Sequence, residues 1–235
     1  MFFFNPLWFI IMLPPIIFMI YAQAKVNSTF KKYSKVANSQ HVTGVEAART
    51  LLRANGLNKV KVEGVKGKLG DHYDPSKKVL RLSPAVANTP SVAALGIVAH
   101  EVGHAIQDKT GYAFLRFRTS LVPAASLGSN LGFIFVILGF VIYLFSRSEI
   151  GSVVVLAGIF LFSLAVLFSL ITLPVEYNAS NRARQMLRST GMVSVQEYNG
   201  ASAVLSAAAL TYVAATLQAV AQLFYFVLMF MGMRR

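Results

Sequence analysis

Between Val153 and Ile171 the chain has no charged residue, and Val, Ile, Leu or Phe fill 14 of the 19 positions. A helix needs roughly 20 apolar residues to cross the hydrocarbon of a bilayer, and this run is that long. On an insertion scale it favours lipid by ~4 to 8 kcal/mol. Lipid offers an open backbone no hydrogen-bond partners, so such a segment must be helical. Three other stretches read the same way. Leu127–Phe145 precedes the run across the short connection Ser146-Arg147-Ser148-Glu149, and Phe2–Ala22 forms a first span in which Pro14-Pro15 is expected to place a kink. Ala203–Met231 forms a fourth span, longer than a bilayer requires, and its first half is rich in Ala, Ser and Thr and is expected to pack on protein.

The chain then divides into a span over 1–22, a polar region over 23–126, spans over 127–145 and 150–173, a polar helix over 174–200 and a last span over 201–231. The expected fold class is a mainly α integral membrane protein with about four transmembrane helices and a small α+β domain at the membrane surface.

Lys and Arg number 22 against nine Asp and Glu, a net charge of +13. In a soluble protein that excess would suggest nucleic acid; in a multi-span chain it sets orientation, and no nucleic-acid partner is expected. Residues 23–126 and 172–202 are separated by two spans, so they share one side, and that side holds 19 of the 22 cations. The expected topology puts the N-terminus outside and the catalytic region inside, with Lys25, Lys31, Lys32 and Lys35 as the strongest orienting cluster. Ala22-Gln23-Ala24 resembles a signal-peptidase site, but the start lacks a positive segment and Pro14-Pro15 interrupts the apolar run, so retention is expected. Cysteine is absent, which excludes disulfides and thiolate ligands or nucleophiles and fits a reducing compartment. No internal repeat or low-complexity tract is present.

The polar region begins with a helix over 43–55. Thr43 and Glu46 form a capping box, Val45, Ala48, Leu51 and Leu52 form its apolar stripe, and Gly56 ends it. The period then changes to two. Val60, Val62 and Val65 alternate with lysine and glutamate, and Lys78-Val79-Leu80-Arg81-Leu82 follows a turn at Asp74-Pro75-Ser76-Lys77, which predicts a small antiparallel unit over 60–83. Thr89-Pro90 then predicts an N-cap and first position for a helix over 90–108. A strand beside that helix offers either an edge for an extended substrate or a plain cover.

This last helix holds His100-Glu101-Val102-Gly103-His104. Residues four apart lie one above the other on a helix, so both imidazoles reach a single metal, and Glu101 flanks the same face beside a metal-bound water. The alternative is two unrelated histidines on a buried helix. A catalytic zinc takes three protein ligands and keeps one position open. His41 and His72 are the only other histidines; the carboxylates placed on the same side after the third span include Glu176 and Glu197. Glu176 is the better candidate. Pro174 is expected to open its helix, and Glu176, Ala179, Ser180 and Ala183 share a face small enough for close approach to the first helix. The alternative for Glu176 is an ion pair with Arg182 or plain solvation.

Four segments carry a resemblance: Asp71-His72-Tyr73-Asp74-Pro75, Ala99-His100-Glu101-Val102-Gly103-His104-Ala105-Ile106-Gln107, Leu173-Pro174-Val175-Glu176 and Ala208-Ala209-Leu210-Thr211-Tyr212-Val213-Ala214. Over nearly the whole chain this set resembles the bacterial membrane-bound neutral zinc metallopeptidases of the YugP type. More distantly, the plan is similar to the HtpX-type membrane proteases. The resemblance implies a Zn2+-dependent endopeptidase of the bacterial inner membrane with a glutamate-zincin-like catalytic domain. His100, His104 and Glu176 would be its metal ligands, Glu101 its catalytic carboxylate, and peptide or protein chains, including membrane-protein segments, its substrates. Such families commonly carry an aspartate where this chain has Asn178, and the wider zincin pattern favours an acid where it has Ser180. Both can still accept a histidine N–H, though they polarise the ring less than a carboxylate would. Tyr212, His72 and Tyr73 are available as a second electrophile, and nothing in the spacing selects one.

Rival readings are an intramembrane protease with a lipid-buried site, a scaffold with a structural metal, and a transporter. The apolar run before His100 is short, a structural zinc is normally closed by four ligands, and the spans hold no charged residue to line an ion pathway.

Overall fold

The computed structural model describes residues 6–67 and 70–233. The expected start of the first span at Phe2 and the C-terminal pair Arg234 and Arg235 lie outside the described residues. The element order is α1 (Pro6–Tyr33), α2 (Gly44–Ala54), β1 (Lys61–Gly64), β2 (His72–Asp74), β3 (Val79–Leu82), α3 (Pro84–Ala87), α4 (Val92–Lys109), α5 (Ala113–Ser146), α6 (Glu149–Ser189) and α7 (Val195–Met233). Four of these, α1, α5, α6 and α7, are long and apolar enough to cross a membrane. The chain is a mainly α, multi-pass membrane protein with a small α+β part.

It falls into two compact units. The first comprises the described residues up to Tyr21, then Phe117–Leu173, and those from Tyr212 onward; the second comprises Ala22–Arg116 and Pro174–Thr211. In the first unit, α5 and α6 pack with their backbones almost touching. A Cβ added at Gly132 would lie 2.7 Å from the Phe162 nitrogen, and one at Gly139 would lie 2.6 Å from the Val155 nitrogen. Small residues give helices this closeness where lipid supplies no hydrophobic drive to associate. Val136, Tyr225 and Phe226 are buried among Trp8, Ile11, Phe133 and Phe162, and Phe162 meets Phe226 edge to face at 5.3 Å. The outward side chains are apolar too: Phe145 is 88% exposed and Phe160 67%. Water would not tolerate that surface, but hydrocarbon does.

The second unit is built as a water-soluble domain is. Its core joins Leu51 and Leu52 of α2, Leu80 and Leu82 of β3, Val98 and Val102 of α4, and Leu187 of α6. The capping box at Thr43 is formed in full, with Glu46 carboxylate reaching back to the Thr43 N–H at 2.8 Å. Gly56 follows the helix at φ +63°, a conformation glycine adopts without penalty.

Three local expectations need correction. The sheet is mixed rather than antiparallel: its order is β1-β3-β2, with β1 parallel and β2 antiparallel to β3. Alternation marks an extended segment without naming its neighbour, and β2, too short to alternate visibly, takes the outer place beside β3. The N-cap of α4 is Ser91, whose side chain accepts from the Ala94 N–H at 3.2 Å. Thr89 and Pro90 stay outside the helix because the preceding loop holds them, with the Asn38 N–H donating to the Pro90 carbonyl at 2.9 Å. Finally, Pro174 does not open a helix. It lies inside the continuous α6, which ends at Ser189, and the next helix starts at Val195. Proline removes one helical hydrogen bond, the one its own nitrogen would give to the Leu170 carbonyl, and membrane helices tolerate that loss. Gln107 Nε2 donates to the Val175 carbonyl at 2.8 Å and the Tyr112 hydroxyl to that of Pro174 at 3.5 Å, which anchors this stretch of α6.

One contact fixes the distance between α4 and α6. A Cβ at Gly103 would lie 2.6 Å from the Ala179 carbonyl oxygen and 3.2 Å from the Ala179 Cα. Both atoms are backbone and cannot swing away. Gly103→Ala should therefore force the helices apart and cost about 1–3 kcal/mol, read as a lowered thermal unfolding midpoint of the purified protein.

Candidate metal centre

The floor of α4 at Gly103 and the small face of α6 bring three side chains together. His100 and His104 project from successive turns of α4, and Glu176 projects from α6 one turn before Ala179. His100 Nε2 and His104 Nε2 lie 3.1 and 3.4 Å from Glu176 Oε2, and 3.2 Å from each other. The rings are 4.7 Å apart and nearly perpendicular at 87°, so both nitrogens aim at a common point rather than stacking. Glu176 is buried at 2% exposure, and His104 at 9%.

The far sides of both rings are held. His104 Nδ1 lies 2.9 Å from Gln107 Oε1, and His100 Nδ1 lies 3.2 Å from Ser180 Oγ. Gln107 is itself fixed, its Nε2 donating to Asn178 Oδ1 at 3.0 Å as well as to the Val175 carbonyl. Because the Gln107 amide nitrogen is used there, its oxygen faces His104 and places the ring proton on Nδ1. Nε2 is then a lone pair directed at the carboxylate.

Two imidazole lone pairs and a carboxylate, packed together out of water, make a set of acceptors with no donor among them. Such a set calls for a cation. His nitrogen and carboxylate oxygen are the donors zinc prefers, and three of them leave its fourth position open. Without a metal, protons take over that role. Burial alone would raise the Glu176 pKa, but the hydrogen bonds from His100 and His104 hold it well below the usual carboxylate range. Burial would lower that of His104, and the Glu176 carboxylate outweighs it and pushes the ring up.

Glu101 stands outside this trio. Its Oε2 accepts the Tyr73 backbone N–H at 2.9 Å, and burial pushes its carboxyl up. The strand that supplies this N–H is clamped along its length. Asp71 accepts from the Ser83 N–H at 2.7 Å, Asp74 pairs with Arg81 at 3.0 Å, and the Tyr73 hydroxyl donates to Asp108 at 2.7 Å. Lys78 pairs with the same Asp108 oxygen.

Of the two side chains expected around the histidines, Ser180 touches His100 directly. Asn178 sits one step back: its Oδ1 accepts from Gln107 and, at 2.8 Å, from Arg182 Nε. Gln107 is the contact that the reading of the sequence missed. Its signal was its place three residues after His104 on the same helix, within reach of that ring. Among the candidate electrophiles, the Tyr73 hydroxyl is engaged by Asp108, and His72 is exposed with its Nδ1 2.8 Å from the Gly70 carbonyl. Tyr212 belongs to the other unit.

Comparison with known proteins agrees with this chemistry. Residues 8–231 match the family described as "Putative neutral zinc metallopeptidase". The chain is 47% identical over 214 residues to a Bacillus subtilis (strain 168) protein named "Putative membrane protease YugP", which covers 91% of this chain and 92% of the relative. No solved structure matches. With the family pattern running over nearly all of its length, this multi-pass membrane chain belongs to the neutral zinc metallopeptidase family, and zinc is its cofactor.

Proposed function

We propose that the protein is a membrane-embedded zinc endopeptidase of the glutamate-zincin kind, with His100, His104 and Glu176 as ligands and Glu101 as general base. The convergence of three acceptor atoms within 4.8 Å of one another, on two helices locked by Gly103 and Ala179, carries this reading. Zinc, when bound, supplies Lewis-acid chemistry: it acidifies water toward neutral pH and polarises a scissile carbonyl.

The side chains supply the rest. Gln107 and Ser180 hold the imidazoles in one orientation, so the ligand atoms need no rearrangement. The Tyr73 N–H fixes Glu101 through Oε2, which leaves Oε1 to take a proton from water and return it to the leaving amine. Burial raises the affinity of that carboxyl for a proton, and a base must bind its proton long enough to pass it on. The helix that bears the motif is not among the four long and apolar enough to span a bilayer, which favours a site outside the hydrocarbon over a lipid-buried one.

The cation distribution supports a site on the cytoplasmic side, and the bacterial relative supports a cell-membrane location. Peptide or protein chains reachable from that side, including segments of other membrane proteins, are the substrates this implies.

Three measurements test the proposal. Glu101→Gln should keep its zinc by metal analysis and lose about 100- to 10,000-fold in cleavage of an unfolded model protein; wild-type cleavage would remove Glu101 from the chemistry. Gln107→Leu should lower zinc affinity about 10- to 100-fold, and Glu176→Ala by at least as much, and unchanged zinc stoichiometry in the latter would exclude it as a ligand. In intact cells, Arg147→Cys should react with a membrane-impermeant maleimide and Lys35→Cys should not; the opposite pattern would invert the orientation.

A further inference from the structure

Within the second unit, α1 and α7 form a groove of about 490 Å³, a size typical of small-ligand sites. Lys25, Ser28 and Lys32 line it from α1, on one face because they recur three, four and seven residues apart. Ala203, Ala207 and Leu210 line it from α7, and the two alanines leave the space open. Ser206 completes that wall and accepts from Arg184 Nη2 at 3.0 Å, bringing a third cation to the rim. The Lys32 ammonium lies over the Tyr33 ring at 5.1 Å, which holds it along the wall. No Asp or Glu is among the described residues that line the groove.

Two lysines in the lining, a third cation bonded to Ser206 and a largely apolar α7 wall suit an anion with an apolar body. The place in the chain narrows the class. Lys25 comes four residues after Tyr21, where the apolar unit's first segment ends, and Leu210 comes two residues before Tyr212, where its last segment begins. Both walls therefore adjoin the apolar unit along the chain, which in a bilayer puts them near the level at which lipid phosphates lie. We propose that this groove binds the headgroup of an anionic glycerophospholipid. The phosphate sits among Lys25, Lys32 and Arg184, and the glycerol and first acyl carbons lie along Ala207 and Leu210. The site is separate from the metal centre, and it holds whether or not the peptidase reading does.

The test uses the full-length protein in neutral detergent, with native mass spectrometry after adding phosphatidylglycerol or phosphatidylcholine of identical acyl chains. Wild type should retain phosphatidylglycerol about tenfold or more over phosphatidylcholine. Lys25→Gln with Lys32→Gln should abolish that preference. Lys31→Gln with Lys35→Gln, which removes the same charge from positions that do not line the groove, should preserve it. Ala203→Leu, which narrows the groove and leaves every charge in place, should also lower retention. Zinc content and thermal midpoints at wild-type values establish that the variants are folded. Equal retention of the two lipids would overturn the proposal. So would equal losses in the two lysine pairs, which would mean general surface attraction, or complete displacement by millimolar inorganic phosphate, which would mean a free-anion site.

Discussion

A missing side chain governs the metal centre. With only a hydrogen at Gly103, the Ala179 carbonyl settles where a methyl group would otherwise be, 2.6 Å from the ideal Cβ position. Helices usually pack with axes 8–10 Å apart, and only the smallest residues permit closer contact. Glu176 has a short arm, and from a more distant helix it would not reach two imidazoles at once. The Gln107 amide then ties α4 to the same turn of α6, through the Val175 carbonyl and the Asn178 side chain. Steric permission and polar attachment act on one crossing, so the geometry is fixed before any metal arrives. That is the condition for tight coordination without reorganisation.

The chain meets two solvents with the same long helices and uses glycine in both. In the membrane unit, Gly132 and Gly139 bring α5 against α6, and apolar side chains such as Phe145 face outward. In the other unit the apolar residues turn inward, around Leu51, Leu80 and Val102. What differs is the identity of the surroundings, not the packing rule inside.

Much of this was legible in the sequence, because some signals are local. Periodicity and length announced the four long helices, and Thr43 with Glu46 announced the start of α2. The spacing of His100 and His104 put two nitrogens on one helical face. The small face of Glu176, Ala179, Ser180 and Ala183 foretold a close approach, and the structure shows Ala179 making it. What escaped was set by partners distant in the chain. Nothing near Thr89 reveals that Pro90 is held by Asn38, so the helix start was placed too early. The pairing of β1 with β3 depends on where β2 enters, a global choice that alternation does not encode. Pro174 looked like a beginning because proline favours the first turn of a helix, and nothing near it shows that a long helix runs through it.

Asn178 has one more consequence. Its oxygen takes two hydrogen bonds, from an uncharged amide and from the Arg182 guanidinium. An aspartate could make the same two contacts, but it would also neutralise the arginine. The carboxamide keeps the geometry and leaves the guanidinium charge uncancelled where α4 meets α6. An aspartate there would change the charge of this crossing by one unit without changing its contacts.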